Sequence, residues 1–125
     1  MLATRDPFSA YRSVAFEAQV AGSRPGELVL LCIEDVSAAI SRAVWAQARD
    51  QAAVRRSSLQ RAANGLAALQ LGVDRDSPLA DGLLTLYSAM ARCVTASLSQ
   101  FDTGSLARVV QDLHDLAEQF RANLA

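Results

Sequence analysis

Apolar residues recur along this chain at spacings of three and four, and no segment alternates apolar with polar. That is the period of a helix with one buried face. The pattern is most regular near the C-terminus, where Leu106, Val109, Leu113, Leu116, Phe120 and Leu124 form one stripe. Leu79, Leu83, Leu86, Met90, Val94 and Leu98 form a second, and Leu59, Ala62, Ala63, Leu66, Leu69 and Val73 a third. A longer helix is predicted from Pro25 to Arg49 or Asp50, with Leu28, Cys32, Val36, Ala39, Ala43 and Gln47 down one side. A short segment from Pro7 to about Val20 places Phe8, Tyr11, Ala15 and Ala18 at helical spacing. Alone it is too short to be stable and must dock on something.

The punctuation between these stripes agrees with them. AGSRPG, residues 21–26, is the clearest break, and Pro25 suits the first position of a helix with Glu27 in its first turn. RDQAAVRRS, residues 49–57, reads as a polar turn or frayed junction. VDRDSP is a loop in which Ser77 caps the helix that follows, and FDTGS makes the last turn. Four long helices with short links predict an all-α fold, an antiparallel four-helix bundle with a short N-terminal helical segment. The 125 residues amount to one domain.

One stretch exceeds what a bundle helix needs. LVLLCI, residues 28–33, is apolar at six successive positions, and Ile40, Val44 and Trp45 widen the same helix further. A helix packed on one side needs apolar residues only every third or fourth position. The expectation is that Leu30, Ile33 or Val44 faces a groove that holds another protein's helix.

Composition narrows the class. The chain is 51% hydrophobic but only 6% aromatic, and a formal charge of −1 gives no case for nucleic acid or an anionic membrane. The N-terminus lacks an apolar signal core, and no apolar run approaches membrane-spanning length, which predicts a cytoplasmic protein. Cys32 and Cys93 sit within apolar helical stretches and read as small buried hydrophobes.

Candidate chemistry is sparse. His114, the sole histidine, invites comparison with a phosphotransfer bundle, but Asp115 and Glu118 beside it would repel a phosphoryl group. Cys32, Cys93 and His114 lack paired metal-ligand spacing, no Gly-rich phosphate loop is present, and no serine lies in a nucleophile motif. The expectation is a protein that is not an enzyme and carries no cofactor or metal.

The order of motifs resembles the FliS family of flagellar secretion chaperones. Tyr11 in AYRS matches that family's N-terminal tyrosine, and GSRPGELVLLCIED matches its helix start through Pro25, Leu28, Val29 and Leu31. LQRAANGLAALQLGVD corresponds through Ala62, Leu66, Leu69, Val73 and Asp74, LLTLYSAM through Leu86 and Tyr87, and the final segment through Asp102, Leu106 and Val109. Arg24 interrupts the usual Ser-Pro pair, Ile33–Glu34–Asp35 replaces Tyr-Asp-Gly, and Phe120 stands where a tryptophan is usual. The chain is therefore similar to a divergent member.

The resemblance implies an export chaperone that binds the disordered C-terminal segment of flagellin, prevents premature polymerisation and delivers it to the type III export apparatus. Its partners would include an export-gate component, and its own state would be a monomer or weak homodimer. The resemblance points to Tyr11, Leu28, Leu86 and Tyr87 as partner-binding residues, to which the apolar surplus of the long helix adds Leu30, Ile33 and Val44, and it implies residues 1–22 as a displaceable groove plug carrying Phe8 and Tyr11. Two rivals are a bundle serving another secretion substrate or assembly regulator, and a phosphotransfer domain using His114.

Overall fold

The computed structural model describes residues 25–124, so the expected N-terminal segment, with Phe8 and Tyr11, lies outside the described residues. Four helices make up the described chain: α1 (Pro25–Ala48), α2 (Ala52–Leu71), α3 (Ala80–Ser99) and α4 (Thr103–Leu124). No strand occurs among the described residues. The all-α expectation holds, with two shifted boundaries.

The first shift concerns residues 52–57, expected as a junction. They are the first turns of α2, and the link after α1 is only three residues long. Ala52, Ala53, Arg55 and Arg56 need no apolar stripe to be helical, because Ala and Arg are intrinsically strong helix formers. Asp50 turns the chain with a positive φ of 55°, a conformation that short polar side chains tolerate best among non-glycine residues. The second shift is at α3, which begins at Ala80 rather than at Pro78. The Ser77 hydroxyl does accept a bond from the Leu79 amide at 3.1 Å, but it stabilises a turn before the helix. At α4 the cap is Asp102, whose carboxylate accepts from the Ser105 amide at 3.1 Å and from its hydroxyl at 2.6 Å. Those bonds hold the Asp102 carboxyl below its ordinary value.

α1 is the central element. It packs most extensively on α2 and next on α4, α2 also packs on α3, and α3 barely touches α4. Cross-links mark the two flanks of α1. Asp35 pairs with Arg61 of α2 at 2.6 Å, while Glu34 pairs with Arg121 of α4 at 2.6 Å. Ser37, itself buried, shares a 3.2 Å hydrogen bond with the exposed His114 of α4. The pairings run in opposite directions along the chain, so α1 is antiparallel to both neighbours.

A helix with two neighbours needs two apolar flanks, and this accounts for most of the LVLLCI surplus. Leu28 and Cys32 are buried in the core with Val36, Ala39 and Ala43. At 100° per residue, Leu30, Ile33, Ile40 and Val44 fall on the flank that carries Ser37 to α4. Ile33 is 1% exposed, and Leu30 and Val44 are half-buried against the same core. Gly65 brings α2 close to α1, since a Cβ built there would lie 2.5 Å from Val36 Cγ2.

Candidate functional site: an open apolar groove between α3 and α4

Because α3 and α4 barely touch, the bundle has one unclosed seam. At the end of the molecule where α1 begins, this seam widens into a groove of about 540 Å³. Leu79, Gly82, Leu83, Leu86 and Tyr87 of the α3 segment form one wall, and Leu116, Gln119 and Phe120 of α4 form the other. Val29 of α1 and Leu69 and Val73 from the end of α2 lie between them, with Asp74, Ser77 and Pro78 at the mouth.

Local sequence explains this lining. Leu79, Leu83 and Leu86 lie on the side of α3 that α4 would cover in a closed bundle. Gly82 removes what bulk remained there: a Cβ at that position would meet no atom within 4 Å. Leu116 and Phe120 are one turn apart on α4 and half-buried rather than buried. Leu79 is 65% exposed and Leu71, nearby in sequence, 50%, which is far more than a packed core leaves to water.

Tyr87 is the polar handle of the wall. It is 1% exposed, and burial pushes its hydroxyl up to about 12. The nearby Cys32 thiol is raised to about 11, first by burial and then by Asp35. Both groups are therefore neutral at physiological pH and behave as part of an apolar wall. Cys32 and Cys93 are free thiols. Among the described residues no group of three or more His, Cys, Asp or Glu side chains is placed to hold a metal.

Of the implied partner-binding residues, the structure brings Leu86 and Tyr87 to the groove. It places Leu28 and Ile33 in the core, where a partner cannot reach them without opening the fold, and Leu30 and Val44 against α4's flank of α1. Tyr11 lies outside the described residues. The expectation that the α1 surplus opens onto a groove is corrected for Ile33: two-sided packing consumes it. Only Val29 of that run lines the groove, and only Leu31, 46% exposed, faces outward. Sequence reasoning assigned Leu79, Leu83, Leu116 and Phe120 to the core. The signal for their different fate is the crowding of four leucines, 79, 83, 84 and 86, around a helical glycine.

The fold and this seam define an all-α, four-helix protein whose described residues leave an apolar groove at one end. None of its described helices is long and apolar enough to cross a membrane. The chain belongs to the FliS family: the family model described as flagellar protein FliS matches residues 7–124. No curated protein matches the sequence significantly.

Proposed function

We propose that this protein is a cytoplasmic export chaperone that seats an amphipathic helix from the C-terminal segment of flagellin in the α3–α4 groove. The observation that carries the reading is the groove itself: about 540 Å³ lined by Val29, Leu79, Leu83, Leu86, Leu116 and Phe120, apolar side chains from three helices and the turn before α3 that converge on one seam. An amphipathic helix supplies anchors at helical spacing that fit such a seam. In the groove it would be unable to pair with other flagellin helices, which is what blocking premature polymerisation requires. A segment that orders only on binding gives up part of its interaction energy to ordering, and so remains releasable at an export gate.

The N-terminal residues have a natural place in this scheme. Residues 1–24 join α1 at Pro25, one helical turn before Val29 reaches the groove. Phe8 and Tyr11 then act as a competing intramolecular ligand that the client displaces.

The test is titration of the full chain with flagellin from the same genome, full length and lacking its C-terminal segment. Saturable binding of the full-length protein and its loss on truncation support the reading. Equal binding of both, or of neither, overturns it.

A further inference from the structure

At the opposite end of α1 from the groove, the only tryptophan of the chain stands on the outer face of the helix. Trp45 is 42% exposed, and two arginines lie over its ring, Arg42 of α1 and Arg49 of the link that follows it. The Arg49 guanidinium lies 4.6 Å from the ring centroid and the Arg42 guanidinium 5.8 Å. Arg49 is held further by a 3.3 Å bond from Nη1 to the Trp45 carbonyl. Each guanidinium has five N–H donors, so this arrangement orients them without using them up.

Among the described residues these arginines form no ion pair. Residues 42–56 contain Arg42, Arg49, Arg55 and Arg56 against one acid, Asp50. The ion pairs between described residues join Arg61 to Asp35 and Arg121 to Glu34, and neither lies in this hairpin. Arg55 donates instead to the Gln47 amide oxygen at 2.7 Å. The groove end has the reverse balance, with Asp74, Asp76 and Asp81 against Arg75 between α2 and the first turn of α3. A net charge near zero therefore conceals a molecule with a basic end and an acidic end.

We infer that Arg42, Trp45 and Arg49 form a docking surface for an acidic segment of a partner protein. Charge complementarity selects the partner: two guanidiniums over an exposed aromatic ring, with no ion pair among the described residues, offer bidentate sites to carboxylates and an apolar surface to the stem that carries them. The surface is separate from the groove. Trp45 lies sixteen residues beyond Val29 on the same helix, about 24 Å at 1.5 Å per residue, so both sites can be filled at once.

Trp45 is its own reporter. The full chain is titrated with a synthetic Asp/Glu-rich peptide containing a few leucines, and with the same peptide carrying Asn/Gln at every acidic position, while tryptophan fluorescence is followed. The expected result is a saturable change with the acidic peptide only, weakening as salt rises. A labelled acidic peptide then reads the variants by anisotropy. Arg42→Glu/Arg49→Glu should weaken binding at least tenfold and Trp45→Ala at least threefold, with melts confirming that both stay folded. Gly82→Leu, in the groove, should leave it unchanged. No response to the acidic peptide overturns the inference. So does an Arg55→Glu/Arg56→Glu loss as large as that of Arg42→Glu/Arg49→Glu with Trp45→Ala silent, which is unspecific attraction. Tighter binding to phosphatidylserine vesicles than to the peptide assigns the surface to a membrane instead, and overturns it as well.

Discussion

Gly65 of α2 sits so close to Val36 of α1 that a Cβ at position 65 would fall 2.5 Å from the valine Cγ2. Val36 is fully buried and β-branched, so its methyl cannot swing away cheaply. On an isolated helix Gly65→Ala would be stabilising by about 1 kcal/mol. In this seam it should destabilise by about 1–3 kcal/mol, the usual cost of overpacking a filled interface. Denaturant melts on Gly65→Ala, Val36→Ala and the double variant check this. The double variant should recover part of the loss, and a more stable Gly65→Ala would show that α1 and α2 are not so tightly apposed.

Asp50 closes the three-residue link between α1 and α2 with φ at 55°. Glycine reaches that conformation without the clash that a Cβ causes. Asp50→Gly should therefore raise stability by about 0.5–1 kcal/mol, and Asp50→Val should lower it by at least as much. Thermal melts of the two variants should move in opposite directions.

The LVLLCI run gives a contrast within one helix. Ile33→Asp places a charge where only 1% of the residue meets water, and should unfold the domain. Leu31→Asp, two residues earlier and 46% exposed, should change stability by less than about 1 kcal/mol. Circular dichroism of both proteins decides it.

In the groove, Gly82→Leu fills space that no atom occupies within 4 Å, and replaces a helical glycine. Stability should hold or rise by about 0.5–1 kcal/mol, while affinity for the flagellin C-terminal segment should fall more than tenfold. Undiminished binding by this variant would move the client elsewhere on the bundle.

Burial of Cys32 and Tyr87 makes the fold sensitive to alkali. Their groups titrate at about 11 and about 12 in the fold, against ordinary values of 9.0 and 10.0. Both shifts are upward, so the folded state holds these protons longer than the unfolded one. Stability is then intact below the ordinary values and falls as pH rises through the folded ones. Each two-unit gap is worth about 2–3 kcal/mol at completion. Melts at stepped pH should show the decline beginning near pH 9, with a shallower slope in Tyr87→Phe and in Cys32→Ala. An unchanged slope in both would mean that other groups govern the alkaline limit.

Helical period, caps and links were legible in the sequence because they are local. The 106–124 stripe and the Pro25 start follow from spacing and backbone chemistry within a turn or two. The start of α2 at Ala52 was not legible by period, because those turns are exposed and held by propensity rather than burial. What only the tertiary structure decided is which apolar residues are covered. Ile33 and Leu116 look alike in sequence, each on an apolar helix face. Ile33 is core because α1 has a neighbour on either flank, whereas Leu116 lines a groove because α3 stands away from α4. Period fixes the direction in which a side chain points relative to its own helix. Burial belongs to a pair of surfaces, and the distance between them is set by every other contact in the bundle.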